Sequence, residues 1–362
     1  MRNKTDKNNK KGDARQRILP FFIPQEGCPG QCIYCNQRSI TAREAPPSVS
    51  DIDAVIAALS DDAPYELAFY GGSFTALTTK RQLEYLQTGL KWIKSGRLSG
   101  IRVSTRPDYI DDSILFRLRE HGVVCVELGV QSMDKDVLSA SGRDYDAACV
   151  RNAVRLIKEY DLKAGVQLMP GLPCDDYTKS MSAAWELVAL KPDLARIYPT
   201  VVLADTPLAD LYQAGSYTPL TLAAAINISC DMTAVFMASD IPVIRLGLNP
   251  SSSVENALIE GPYHPSFGGM VYSALAWEQA KTLLRESPNS KHLYAHPDYL
   301  SVLIGHGGEN KKNLRENYGN IAVKSLDTLP EYALAVSDDL SKPPEKIIER
   351  SCFLLQYIEG LR

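Results

Sequence analysis

From Ile18 onward, short apolar runs alternate with segments whose hydrophobic positions recur at helical spacing. ILPFFI (18–23), ELAFYGG (66–72), IRVST (101–105), VVCVELGV (123–130), KAGVQLM (163–169) and LARIY (194–198) predict six strands. Between them, Ile52, Val55, Ile56 and Leu59 fall on one helical face, as do Leu83, Leu86, Leu90 and Ile93. Ile114, Leu115 and Leu118 mark a third helix, and Ala147, Val150, Val154 and Ile157 a fourth. Met181, Ala184, Trp185 and Val188 mark a fifth, with Asp175 or Asp176 as its cap. Near-continuous apolar strands alternating with helices describe a parallel α/β sheet covered on at least one face. Strand count alone leaves an open doubly wound sheet and a full or partial barrel as alternatives. A helical stretch at 220–238 then leads to PVIRLGLNP (242–250), a further strand, and a turn-rich segment, 251–265, forms a soft boundary. Beyond it the pattern predicts a helix at 270–284, a strand YLSVLIG (299–305) and a polar helix at 309–316. The strands IAVKSL (321–326) and YALAV (332–336) and a last helix over 345–361 complete the chain.

Charge adds a tail to this frame. Residues 1–17 hold seven basic and two acidic side chains, a net +5 in a chain whose total is −4. They are expected to form a flexible basic tail, with an RNA-contacting arm as the sharper alternative. The acidic remainder excludes a uniformly basic nucleic-acid coat and leaves room for a local basic site. The uncharged stretch 218–230 is too short to span a membrane, and no apolar run follows the charged start. No membrane segment or secretory signal is therefore expected, and the protein is expected in the cytoplasm.

The unusual residues sit just after strand ends: three cysteines after the first, Gly71-Gly72-Ser73 after the second and Gln131-Ser132 after the fourth. In a parallel barrel the loops at the carboxyl ends share one mouth, so these groups would meet there. Of the eight cysteines, Cys28, Cys32 and Cys35 crowd into eight positions. Soft thiolates are the usual ligands of a cubic iron–sulfur cluster, and three of them leave one iron open. Zinc is the main rival but asks for a fourth donor, and the nearest in sequence are His121 and Cys125. A Cys32/Cys35 redox pair, or buried cysteines, is the remaining alternative. Paired glycines after a strand allow close backbone approach to a ligand, or simply make a tight turn.

The CxxxCxxC segment, with aromatic Tyr34 before its last cysteine and directly after an apolar strand, resembles the signature of radical S-adenosylmethionine (SAM) enzymes. The resemblance implies a partial (β/α)6 TIM-like barrel of the radical SAM type. It also implies a [4Fe-4S] cluster held by the three cysteines, and SAM on the open iron as source of a 5′-deoxyadenosyl radical. Gly71 and Gly72 match the glycine motif whose backbone meets the SAM amine, with Ser73 where an acid is common. FYGGSFTAL (69–77), STRPDY (104–109), VELGVQS (126–132), MPGLPCDD (169–176) and RIYPTVVLADTPLADLY (196–212) further resemble the Elp3-like proteins, the catalytic subunits of Elongator and their prokaryotic relatives. By that resemblance, which covers about 18–250, Glu127, Gln131 and Ser132 lie at the mouth. Arg143 meets the SAM carboxylate or its surroundings, and Arg196 and Tyr198 face the cavity. Each also has an ordinary role open to it: Glu127 in an ion pair across the barrel, Gln131-Ser132 and Asp175-Asp176 as helix caps, Arg143 on the surface.

Elp3-like proteins commonly carry an acetyltransferase domain and act on wobble uridine in tRNA. The 112 residues after Pro250 are short for that domain and hold no Q/R-x-x-G-x-G/A loop. Instead, IGHGGEN (304–310) and the helix and strand after it resemble the IGxxG–helix–strand heart of a KH RNA-binding domain. There Gly305 and Gly308 would approach nucleotide backbone, with Lys311, Lys312 and Arg315 adding positive charge. The expectation is therefore a tail (1–17), a radical SAM partial barrel (18–250) and a small C-terminal α/β region (251–362) with a KH-like segment. The expected activity is a radical SAM enzyme acting on RNA, tRNA above all, and reduced by a flavodoxin- or ferredoxin-like donor. A radical enzyme acting on a small metabolite or tetrapyrrole, and a zinc-containing RNA-binding module, are the alternatives.

Overall fold

Each of the six expected strands pairs with the next. In the computed structural model, which describes residues 17–24, 28, 32–37, 40, 45–60, 64–341 and 343–361, they are β1 (Arg17–Ile23), β2 (Tyr65–Gly71), β3 (Leu98–Thr105), β4 (Val123–Gln131), β5 (Lys163–Leu168) and β6 (Leu194–Ile197). A two-residue strand, β7 (Val202–Leu203), leaves the sheet, and β8 (Val243–Leu246) rejoins it beside β6 as a seventh strand. All seven run parallel and lie in chain order. That order decides between the alternatives left open by the pattern. A doubly wound sheet reverses its strand order at a switch point, whereas strands added always on one side keep their right-handed crossovers on one face. The helices then cover that face and the sheet curls into an open barrel with a concave lumen.

Among the described residues the strands are followed by the helices α1 (Val49–Ala57), α2 (Thr79–Lys94), α3 (Asp112–Glu120), α4 (Lys135–Ala140), α5 (Ala147–Glu159) and α6 (Tyr177–Ala189). Side-chain oxygens of Ser48, Thr78, Asp111, Asp134, Asp146 and Asp176 cap them, each accepting an N–H that the first turn leaves unbonded. The strands alternate. Leu67 and Phe69 pack outward among Tyr85 and Leu86 of α2, while Glu66 and Tyr70 turn into the lumen. Then come α7 (Pro207–Gln213), α8 (Leu222–Met237), α9 (Ser252–Ala257) and β9 (Leu258–Glu260), which pairs antiparallel with β7.

Beyond α10 (Phe267–Arg285) stands a four-stranded sheet of β10 (His292–Ala295), β11 (Ala322–Ser325), β12 (Leu334–Ser337) and β13 (Lys346–Ile348), in the order β11-β10-β12-β13. One expectation fails here. YLSVLIG is not a strand but most of a helix, α11 (Pro297–Ile304), and the strand lies just before it in HLYA. Pro297 takes the first helical turn, where its missing N–H costs nothing, and His296 caps it by accepting from Asp298 N–H. Tyr299 and Leu303, one turn apart, are the buried pair. The terminal helix is also shorter than expected, because β13 takes its first residues and α13 (Arg350–Glu359) the rest. Between α11 and α12 (Glu309–Tyr318) the chain turns through Gly305, Gly307 and Gly308, all at positive φ. The apolar core is continuous, from Leu67 and Val126 of the large sheet through α8 and α10 to Leu334 and Phe353.

Candidate active site

The lumen holds a row of alternating charges. Arg102 on β3 donates to Glu66 on β2 (2.6 and 2.9 Å) and to Glu127 on β4 (2.9 Å). Glu127 also pairs with Arg196 on β6 and accepts from Tyr70 Oη at 3.0 Å. Arg196 in turn donates to the hydroxyls of Tyr70 (2.7 Å) and Tyr198 (2.9 Å). Two carboxylates and two guanidiniums cancel, which is how four charges tolerate burial. Burial and the Glu127 carboxylate push the Tyr70 phenol above its ordinary value, so it stays a neutral donor. Toward the mouth Gln167 donates to Gln131 Oε1 (3.1 Å). Tyr70, Arg196, Tyr198 and Gln167 are only half-buried, so this end of the row faces open space.

Cys28, Cys32 and Cys35 lie over that mouth as half-buried free thiols. Their loop is pinned on both sides. Ile33 N–H donates to Ser141 O (3.3 Å), Leu208 N–H to Ile33 O (2.9 Å) and Asn36 Nδ2 to Ala204 O (2.8 Å). Gln37 donates to Gly71 O (3.0 Å) and stands 3.8 Å from Cys28 Sγ. The Ser73 N–H also points at the Cys28 sulfur. Burial pushes the Cys28 thiol up, and burial with the neighbouring Cys32 and Cys28 pushes Cys35 up to about 12. Both shifts favour the protonated Cys28 and Cys35 thiols in the metal-free chain, and an iron ion would take the proton's place. Among the described residues no three His, Cys, Asp or Glu side chains converge closely enough to ligate one metal ion. A structural zinc needs four donors around one point, whereas a cubic cluster takes each thiolate on a separate iron. Three free thiols on one loop are the donor chemistry that the second arrangement takes.

Gly71 joins this loop to the sheet. Its φ of +106° is one that side-chain-bearing residues avoid, and a Cβ there would stand 2.9 Å from Ile23 O of β1. Gly71→Ala is expected to lower stability by about 1–2 kcal/mol from backbone strain alone, checked by urea denaturation. Gly72 N–H donates to Ile23 O (2.8 Å). The Ser73 hydroxyl is buried against Thr105 Oγ1 (2.7 Å) and accepts from Arg106 N–H (3.2 Å). Arg143 is buried under the cysteine loop. It donates to Tyr34 Oη (3.0 Å), to Gly129 O (2.6 Å) and to Tyr145 Oη.

Two family profiles match this chain: the Radical SAM superfamily over residues 22–178 and the Radical SAM C-terminal domain over residues 192–276. The chain belongs to the radical SAM superfamily of enzymes. Among curated proteins it is similar to the tRNA uridine(34) acetyltransferase of Dehalococcoides mccartyi (strain CBDB1), 25% identical over 65% of this chain and 60% of that one. It is also similar to Elongator complex protein 3 of Homo sapiens, 31% identical over 33% of this chain and 22% of that protein. The chain thus spans less than two thirds of the length of these relatives. Among solved structures it resembles the archaeal Elp3 of Methanocaldococcus infernus, with a TM-score of 0.56 and 19% identity over 72% of this chain and 62% of that one. That likeness concerns the fold.

In this radical SAM chain the residues singled out from sequence gather in two nearby groups and one distinct one. Cys28, Cys32, Tyr34, Cys35, Gly71, Gly72, Ser73 and Arg143 surround the cysteine loop, and Glu127, Gln131 and Tyr198 line the lumen. Arg143 is not at the surface, and Glu127 is an ion-pair partner for two arginines at once. Ser132 is turned to the loop before α4, accepting from Asp134 N–H (3.1 Å), and Asp176 caps α6. Gly305, Gly308, Lys311, Lys312 and Arg315 belong to the turn between α11 and α12, and share no hydrogen bond or ion pair with the lumen among the described residues. The tail at 1–17 lies outside the described residues except for Arg17. Sequence reading missed Glu66, Tyr70, Arg102 and Tyr145. Arg102 carried a signal, since a lone charge inside the apolar run IRVST has to find a partner in the lumen.

Proposed function

We propose that the protein binds a [4Fe-4S] cluster through Cys28, Cys32 and Cys35 and SAM beside it, and modifies RNA, with tRNA as the substrate. The observation that carries this reading is the thiol trio held over the mouth of a half-barrel whose lumen is lined by balanced charge. A cluster held by Cys28, Cys32 and Cys35 would supply the electron for reductive cleavage of SAM, and with it radical chemistry at a substrate C–H bond. The protein's share is to place and seal. Gln37, Ser73 and Arg143 fix the cysteine loop, and the Gly71-Gly72 backbone and Gln131 line the SAM side. Glu127, Arg196, Tyr70 and Tyr198 present a hydrogen-bonding wall to the substrate. A flavodoxin- or ferredoxin-like protein would deliver the electron in a reducing, cytoplasmic setting; no helix among the described residues is long and apolar enough to cross a membrane. The test is release of 5′-deoxyadenosine from SAM by the reduced, reconstituted protein, with faster release on adding tRNA. Release that tRNA leaves unchanged would favour a small-molecule substrate.

The choice of RNA draws on the names of the similar proteins and on the C-terminal region (251–362), where strand β10, α11, the glycine turn, α12 and β11 follow one another. Lys311, Lys312 and Arg315 are exposed on α12, and a Cβ at Gly307 or Gly308 would meet open space. A phosphate could therefore approach the turn's backbone closely. Joint substitution of His306→Asp and Gly307→Asp is expected to weaken tRNA binding at least tenfold, about 1.4 kcal/mol. The measurement is fluorescence binding at two salt concentrations, and 5′-deoxyadenosine release without tRNA should survive.

A further inference from the structure

The charge balance of the lumen leaves one guanidinium over. β8 is the last strand of the large sheet, so it borders the open edge of the half-barrel. Its Arg245 is the register partner of Arg196 on β6, and the next residue, Leu246, packs outward in the core, so Arg245 faces the lumen. Arg196 has Glu127, whereas Arg245, half-buried, donates only to the carbonyls of Gly247 and Leu248, both at 3.1 Å. No carboxylate pairs with it, and its Nη1 makes no hydrogen bond, among the described residues. Like charges opposite one another across strands destabilise a sheet, and an anion brought from outside would offset that cost.

Contacts lead from this arginine to the glycine turn. Gly247 lies against the ring of Phe267 at the start of α10, which is 3.0 Å from where a Cβ would stand. Phe267 N–H donates to His264 O (3.0 Å). The His264 ring meets that of His306, in the glycine turn, edge to face with centroids 5.0 Å apart. His264 is half-buried and His306 exposed. His264 Nδ1 accepts from Ser266 N–H (3.0 Å), which leaves Nε2 to carry the donor proton. Two carboxylates of the neighbouring segment are occupied: Glu255 accepts from Tyr263 Oη (3.0 Å) and Glu260 from Tyr212 Oη (3.3 Å).

We propose that this strip is a track for the phosphodiester backbone of single-stranded RNA, running from the glycine turn over the His264–His306 pair to Arg245. There the guanidinium holds the phosphate beside the nucleotide that enters the lumen. The inference rests on the RNA reading above and deepens it, since the turn and the lumen become two ends of one surface. Arg245 Nη1 is left to donate to a phosphate oxygen, and the imidazoles offer a ring face to a base and an N–H to the backbone.

Fluorescence binding at two salt concentrations would compare tRNA, an oligoribonucleotide of about four nucleotides, the length such a glycine turn clamps, and one three times as long. The proteins are wild type, Arg245→Gln, Arg245→Lys, His264→Ala and the control Arg155→Gln, each checked by circular dichroism. Arg245→Gln should weaken tRNA and the long probe about fivefold or more, and lower the salt slope by about 0.7, one phosphate contact on a single strand. The short probe should stay within twofold of wild type, because it ends before the lumen. Arg245→Lys should restore the slope, and His264→Ala should weaken the long probe more than the short one. Arg155→Gln removes the same charge from an exposed pair on α5 and should change no affinity. If Arg245→Gln does not fold, Arg245→Lys and His264→Ala carry the same length test. Unmoved affinities, or equal losses for short and long probes, overturn the track alone. A nucleoside monophosphate that binds wild type but not Arg245→Gln, with tRNA affinity unmoved, would assign the arginine to a small phosphorylated substrate and also overturn it. A wild type that binds no RNA is a different result, since it sinks the RNA reading together with the track.

Discussion

Replacing any one of Cys28, Cys32 or Cys35 with alanine is expected to abolish stable iron loading, while wild type takes up about four irons and four sulfides per chain. Each thiolate would be the only protein ligand of its iron, so two remaining sulfurs would not hold the cube. Folding should persist, because the loop hangs from Ile33, Asn36 and Leu208 rather than from the sulfurs. Iron and sulfide analysis with circular dichroism checks both halves. The scattered cysteines serve as controls. Cys125 is packed inside β4 and Cys230 inside α8, both buried, and their conservative replacement should leave iron content unchanged. Stoichiometric zinc in the wild type, with no iron cluster, would overturn the assignment.

The second large effect is expected in the lumen. Glu127→Gln removes the carboxylate shared by Arg102 and Arg196, and both Glu127 and Arg102 are about 95% buried. Arg102 keeps Glu66, but Arg196 is left without an anion. Breaking a buried pair from one side costs about 3–5 kcal/mol, because the desolvated partner remains. Urea denaturation of Glu127→Gln, Arg196→Met and the double variant would show it. The double variant should be more stable than Glu127→Gln alone, since no orphaned charge then remains at that position. A loss below about 1 kcal/mol in Glu127→Gln would mean that water reaches Arg196 freely. Iron content should not change in any of the three, which separates the lumen wall from the cysteine loop.

Much of the fold was legible because parallel strands covered by helices on one face write themselves as short apolar runs. IRVST and VVCVELGV could hardly be anything else. YLSVLIG shows the limit. Seven largely apolar residues fit a core strand or a buried helical turn equally well, and only the His296-Pro297 start signal separates them. The cysteine trio was legible for a different reason: thiols spaced within one loop are a local signal. The lumen row was not, because its bonds join residues 36 and 69 positions apart.

Periodicity, caps and motif spacing act within a turn or a loop, and on these the chain alone determined the order of its elements, the thiol trio and the glycine pair. Pairing of charges acts across strands, and depends on which residues the register of a curled parallel sheet sets side by side. Only the tertiary structure could therefore decide that Glu127 answers two arginines, that Tyr70 joins them, and that Arg143 reaches Tyr34 across 109 positions and has no carboxylate among the described residues.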